Sequence, residues 1–164
     1  MIGIVSTDLG EIRIVVNKGK VLYCNWRDHE LTAELQKKLR EAFFSYDKND
    51  NKLLKETVRQ IEEYLDGKRL GFDLPLNLDG TDFQRKVWKE ISRIGYGETI
   101  SYKELACRCG NPGAYRAVAK ACGANPVAII VPCHRVVASG SHGGYSGGLD
   151  KKLRLLNLEK LTSR

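Results

Sequence analysis

The chain has 164 residues, 42% hydrophobic and 29% charged, a balance that suits a soluble globular protein of one domain or two small ones. No apolar run reaches the roughly eighteen residues of a membrane span, and the opening MIGIVSTDLGEIRIVV lacks the basic and apolar regions of a secretory signal. The net charge of +7 is held unevenly: residues 1–80 carry 13 Lys and Arg against 14 Asp and Glu, while residues 81–164 carry 14 against 6, so an anionic partner is expected at the second half.

In chain order, a strand is expected at Ile2 to Ser6, then a hairpin made of GEIRIVV, NKGK and VLYCNW. Helical spacing follows twice. Leu31, Leu35, Leu39 and Ala42 mark residues 31–44, and Leu54, Val58, Ile61 and Leu65 mark residues 53–65, with polar SYDKNDNK between them. Residues 67–80, GKRLGFDLPLNLDG, read as an extended connector between two domains.

The basic half opens with TDFQRKVWKEISRI. Thr81 or Asp82 can cap this helix, and Phe83, Val87, Trp88, Ile91 and Ile94 form its apolar face. SYKE at 101–104 matches a capping box, with Ser101 and Glu104 reciprocating, and a short helix runs to about Cys109. GNPG is a turn, and AYRAVAKACG is a second helix with Ala114, Ala117, Val118 and Ala121 at helical spacing. Two short helices joined by such a turn describe a helix-turn-helix. The small residues suit close packing inside the domain or entry into a nucleic-acid groove with Arg116 projecting.

IIVPCHRVV at 129–137 has the aliphatic flanks of a buried strand around a thiol, an imidazole and a guanidinium. Five glycines fall within residues 140–148, a run too pliant for a rigid element and of a kind that often closes over a site. LDKKLRLLNLEKL is then helical. Glu159 projects on its apolar side, on an arc shared with Lys152, where a carboxylate needs a partner such as His134 or Arg135.

Cys133 has three readings: an inert buried thiol, a metal ligand or a nucleophile. The five cysteines are an odd set with no framework spacing and read as reduced thiols of an intracellular protein. C-x-C at 107–109 and C-x4-H at 24–29 do not make the paired spacing of a zinc site, so no metal is expected. If 129–137 is extended, Cys133 and His134 point to opposite faces. A nucleophile then needs the chain to turn or a water to bridge the two. Pro132 ends regular pairing just before the thiol, and Asn125 in ANPV can hold the segment by its backbone.

SYKELA, GNPGAYRAVAKACGANPVAIIVPCHRVV and GGYSGGL together resemble the O6-alkylguanine-DNA alkyltransferases, most strongly from about Thr81 to Lys160. The resemblance implies an α+β fold: a small N-terminal antiparallel sheet with helices (ribonuclease H-like), then a C-terminal winged helix-turn-helix domain. Residues 1–78 would be a supporting domain and 79–164 the DNA-binding alkyltransferase domain. It implies a monomeric, cofactor-free, cytoplasmic protein (nuclear in a eukaryote) that binds double-stranded DNA from the minor groove, flips the damaged base and acts once.

On that resemblance Cys133 accepts the alkyl group from O6-alkylguanine, and from O4-alkylthymine as well. His134 activates it through a water, Glu159 orients His134, Asn125 braces the turn, and Tyr102 donates to the leaving oxygen. Gln84, Tyr102, Lys103, Asn111 and Ser139 contact phosphates, and Arg116 fills the vacated base stack. Val136 and the loop Tyr145, Ser146 and Gly147 hold the base. Tyr115 and Ala119 depart from the family pattern, which has small residues at the first position and often Gly at the second. A non-catalytic lesion-binding module and a conventional cysteine hydrolase are the rival readings.

Overall fold

The computed structural model describes residues 1–28, 33–44 and 47–163. The chain divides into two compact units, Met1–Leu78 and Asp79–Arg164. His29 and Leu31, together with the side chain of Ala42, lie outside the described residues.

In the first unit the alternating residues form three strands, β1 (Ile2–Thr7), β2 (Gly10–Asn17) and β3 (Lys20–Trp26), in an antiparallel sheet of order β1-β2-β3. The β2–β3 hairpin turns on Lys18 and Gly19, both at positive φ (50° and 71°), the conformation of a tight two-residue hairpin turn. Two helices follow, α1 (Ala33–Phe44) and α2 (Lys48–Leu65). Leu35 and Leu39 of α1 pack on Val15 and Tyr23 of the sheet.

α2 starts five residues earlier than the spacing of its leucines suggests. Asp47 caps it by accepting from the Asn49 N–H at 2.8 Å, so the polar run 48–52 is helix and not a separator. Its buried side is also rotated from the expected one. Thr57, Gln60, Ile61 and Tyr64 are buried, while Leu54, Val58 and Leu65 are half-buried. The polar members are satisfied: Gln60 bonds the Asp73 backbone through both amide atoms, and Thr57 donates to the Leu53 carbonyl. The 67–78 connector lies against the sheet edge, where Val21 N–H donates to the Pro75 carbonyl and Asn77 N–H to the Val21 carbonyl.

The second unit contains α3 (Asp82–Ile91), β4 (Ile100–Ser101), α4 (Tyr102–Arg108), α5 (Tyr115–Gly123), β5 (Val136–Val137) and α6 (Leu149–Thr162). Thr81 and Gln84 form a complete capping box at α3. At α4 only half of the expected box is present. Ser101 accepts from the Glu104 N–H, but the Glu104 carboxylate is engaged by Arg108 one turn on. α3, α4 and α5 share a core of Val87, Trp88, Ile91, Leu105, Val118 and Ala121, tied by a hydrogen bond from the Trp88 indole to the Ala121 carbonyl at 2.8 Å. β4 and β5 pair in parallel, Ile100 with Val136 and Ser101 with Val137. The observed class is α+β, as expected. No helix among the described residues is long and apolar enough to cross a membrane.

Asp50 shows what holds the first unit. Its buried carboxylate accepts from the Lys18 N–H at 3.1 Å and the Gly19 N–H at 2.7 Å, joining α2 to the hairpin turn. Hydrogen bonds to a charged group contribute about 1.5–3 kcal/mol each. Asp50→Ala, which removes both bonds, should lower the stability of this unit by about 3 kcal/mol or more in chemical denaturation; an unchanged midpoint would remove the tether from the account.

Candidate active site

Residues 129–137 are not a continuous strand, contrary to the pattern of their aliphatic residues. Ile129 sits at φ 72°, a left-handed conformation that a β-branched residue adopts only under constraint. The constraint is visible. Asn125 Oδ1 accepts from the Val127 N–H at 3.1 Å, its Nδ2 donates to the Val131 carbonyl at 2.8 Å, and Val131 N–H donates to the Val127 carbonyl at 2.9 Å. One buried amide side chain thus clamps both ends of the bend, and burial of the Ile129 side chain offsets the strain.

Pro132 follows at φ −81°, ψ 64°, with the Cys133 N–H donating across it to the Val131 carbonyl at 2.8 Å. That is an inverse γ-turn, which proline's fixed φ favours. Cys133–Arg135 then form a single 3-10 turn closed by the Arg135 N–H on the Pro132 carbonyl at 2.9 Å. The chain therefore turns at the thiol, and the opposite-face geometry of a strand does not apply to Cys133 and His134.

The sulfur of Cys133 is buried and accepts a hydrogen bond from Asn125 Nδ2 at 3.3 Å. Burial pushes this thiol above its ordinary range. The Asn125 bond, the Lys152 charge, the backbone N–H and a bond from Tyr145 act in the opposite sense. Tyr102 on α4 is half-buried, its phenol pushed up to about 12 by burial and by its electrostatic coupling to Cys122 and Cys133. At neutral pH it keeps its proton and can donate. It reaches the Gly144 carbonyl at 3.4 Å.

His134 and Glu159 are both wholly buried, and His134 Nε2 meets Glu159 Oε1 at 2.8 Å. The same carboxylate accepts from Arg135 through Nε at 3.0 Å and Nη2 at 2.9 Å, and from the Gly97 N–H at 3.0 Å. Arg135 also donates to the Ile94 carbonyl at 2.6 Å and lies over the Tyr96 ring. Both candidate partners of Glu159 are thus engaged at once. Desolvation lowers the affinity of His134 for a second proton, and Arg135 works the same way, while Glu159 opposes them. The imidazole is neutral near pH 7. With Nε2–H donating to Glu159, its basic nitrogen is Nδ1.

The glycine-rich segment is more firmly held than its composition suggests. Gly144 O accepts from Lys152 Nζ at 3.1 Å, and Gly148 N–H closes a turn on Tyr145 O at 3.0 Å. Gly143, at φ 69°, packs so near Tyr102 that a Cβ there would lie 3.0 Å from the ring. Within this loop Tyr145 is half-buried, Ser146 exposed and Gly147 buried. The Val136 carbonyl accepts from Lys152 Nζ at 2.6 Å, which leaves it one lone pair for a further donor.

The remaining candidates lie on the outside. Arg116, Lys103, Asn111 and Ser139 are exposed, and Gln84 is half-buried with its amide oxygen occupied by the Thr81 N–H. On α5 the buried stripe is Val118, Ala121 and Cys122; of the expected face Val118 and Ala121 are buried, Ala114 is half-buried, and Ala117 is exposed beside Arg116. Tyr115 is exposed and stacks on the Arg116 guanidinium. Sequence reasoning gave Lys152 no role, although its shared arc with Glu159 was the signal that placed it inside. Cys24 is buried in the first unit.

Residues 82–161 match the family "6-O-methylguanine DNA methyltransferase, DNA binding domain", and residues 2–78 match "6-O-methylguanine DNA methyltransferase, ribonuclease-like domain". The chain belongs to the 6-O-methylguanine DNA methyltransferase family. It is 43% identical over 160 residues to a mimivirus protein named probable methylated-DNA–protein-cysteine methyltransferase, covering 97% of this chain and 96% of that one. It is 56% identical over 104 residues to the Mycobacterium bovis methylated-DNA–protein-cysteine methyltransferase, 63% of each chain. The crystal structure of Mycobacterium tuberculosis OGT in complex with DNA is similar at TM-score 0.82 and 37% identity, covering 97% of this chain and 92% of that one.

The buried imidazole has a consequence for stability. In the folded chain His134 resists protonation, whereas an unfolded histidine takes a proton near pH 6.5. A group with a lowered folded value lends its full stability above the unfolded one and loses it as pH falls. Unfolding free energy should therefore drop as pH goes from about 7.5 to about 5. His134→Gln, which keeps an N–H for Glu159, should flatten that decline; an equally steep fall in the variant would show that other groups cause it.

Proposed function

We propose that this protein repairs alkylated DNA by direct reversal, with Cys133 taking the alkyl group from O6 of guanine in one irreversible turnover. The observation that carries this reading is the buried Cys133–His134–Glu159 arrangement, clamped by Asn125, within the unit of the chain that bears the excess positive charge. O4-alkylthymine presents the same kind of leaving oxygen and is a second substrate.

The chemistry is a displacement at the alkyl carbon. The sulfur–carbon bond forms as the carbon–O6 bond breaks. The thiol proton passes to His134 Nδ1, by way of a water, while Glu159 holds the imidazole and receives its Nε2–H. Negative charge develops on O6, and the Tyr102 hydroxyl donates to it. The product is a thioether, which this site has no means of reversing, so each molecule acts once. Val136 and the Tyr145, Ser146 and Gly147 loop bound the base, which must leave the duplex to reach a buried sulfur.

Duplex DNA is the partner, engaged by a single copy of the chain through the minor groove. The exposure of Arg116 and Ala117 on one side of α5 supports this, since small residues let the helix lie close while Arg116 enters the stack. Lys103, Asn111, Ser139, Gln84 and Tyr102 would set register through phosphates. The reading places the protein with DNA, in the cytoplasm or, in a eukaryote, the nucleus.

Intact mass after incubation with O6-methylguanine DNA should show one added methyl group per chain, mapped to Cys133 and absent in Cys133→Ala. Continued turnover would point to a conventional hydrolase, and lesion binding without transfer to a recognition module. Arg116→Ala should slow repair of duplex DNA by roughly tenfold or more, the scale of a lost stacking or groove contact of about 1–3 kcal/mol. Its reaction with free O6-benzylguanine should stay near that of the parent protein. Equal losses on both substrates would count against a role in base extrusion.

A further inference from the structure

Lys152 is the buried cation that the mechanism above does not use. It is on the first turn of α6, wholly buried, and its ammonium donates to the Val136 carbonyl at 2.6 Å and the Gly144 carbonyl at 3.1 Å. It also stands over the Tyr102 ring, 5.9 Å from the centroid. A lysine is seldom fully buried, because desolvating the ammonium costs several kcal/mol. Two neutral carbonyls are a thin return for that cost, and no carboxylate is recorded within salt-bridge range of its Nζ among the described residues. The anion that would complete the site is a thiolate, and Lys152 lies in electrostatic reach of both Cys133 and Cys122.

We propose that Lys152 is a positioning residue for alkyl transfer: its ammonium stabilises the Cys133 thiolate and at the same time ties the loop carrying Tyr145 to the carbonyl of Val136. The inference rests on the reading of Cys133 as acceptor. The ammonium bridges three parts of the site. Val136 follows the turn that bears the sulfur, Gly144 precedes Tyr145, and Tyr102 is the donor to the leaving oxygen. One residue thereby links the charge state of the nucleophile to closure of the wall of the base pocket.

The groups around the sulfur assign the charge effect to Lys152. Tyr102 from α4 and Cys122 from α5 are neutral near pH 7, because burial raises both. Asn125 and Tyr145 are neutral donors. His134 is neutral, and Arg135 is committed to Glu159. Lys152 is therefore the uncompensated positive charge among these neighbours. Burial lowers its own proton affinity, and the two thiols, once ionised, raise it, so a thiolate and the ammonium stabilise each other.

The test separates charge from tether. Lys152→Gln keeps an N–H donor for the two carbonyls but no charge, Lys152→Arg keeps the charge, and Lys152→Met is a neutral side chain of similar length for use if the glutamine does not fold. The rate of Cys133 alkylation by free O6-benzylguanine is measured from pH 5.5 to 10, with thermal melting as the check on folding. The rising limb of the profile should move upward by about one pH unit or more in Lys152→Gln or Lys152→Met, and move back towards that of the parent protein in Lys152→Arg. An unshifted limb in a folded neutral variant overturns the proposal. So does an equal shift in the arginine variant, which would mean packing and not charge. Mass analysis of the end point keeps the two readings apart: no alkyl group on Cys133 of the parent protein sinks the acceptor assignment itself.

Discussion

The Glu159 carboxylate is the point on which the second unit is built. It sits without solvent exposure at the far end of α6 and accepts from His134, Arg135 and the Gly97 N–H. These contacts fasten α6 to the Cys133–Arg135 turn and to the segment after α3. A buried carboxylate without partners would be prohibitive, and losing one partner of a buried pair costs about 3–5 kcal/mol. The arrangement also sets the charge balance of its neighbours. Arg135 balances the charge, so Glu159 is free to orient His134 without forcing a second proton onto it. His134 remains a neutral imidazole with its basic nitrogen turned from the carboxylate. Arg135, adjacent in sequence to the proposed acid–base pair, is thus the counterion that lets it act as one.

The turn that presents the sulfur depends on a second buried polar group. Asn125 satisfies a donor and an acceptor of the 127–131 bend and still offers an N–H to Cys133. Each of these bonds alone is modest, about 1 kcal/mol. Together they hold Ile129 in a conformation its side chain resists, and they set the sulfur where an amide dipole favours its ionised form. The strained residue stands four positions before Cys133, in a bend that a continuous strand would not contain.

Much of this was legible in the residues. The hairpin, the helix-turn-helix, the break at Pro132 and the inward Glu159 followed from period, turn chemistry and the cost of burying charge. Four features did not. The aliphatic run 129–137 has the composition of a strand, and only the Asn125 clamp, a contact between separate parts of the chain, makes it a pair of turns. The first turns of α2 are polar and read as a separator, yet Asp50 is polar because it holds the hairpin. On α5 the expected face holds at Val118 and Ala121 and fails at Ala117, which is exposed, since alanine is equally at home on either side of a helix. The arc that Lys152 shares with Glu159 points it inward, but a sequence pattern does not reveal the two carbonyls that receive it.

A protein that is consumed by its own reaction gains from a nucleophile that is not reactive in advance. A thiol reacts as its thiolate, and burial holds Cys133 above the ordinary thiol range. Against that stand a set of weak or distant stabilisers: an amide bond, a phenol bond, a backbone N–H and one ammonium. None is an ion pair with the sulfur, so the resting site favours the neutral thiol. A base delivered into the pocket excludes water and strengthens every one of these interactions. The surface charge of the second unit then does a separate task. It draws the chain to DNA without regard to sequence.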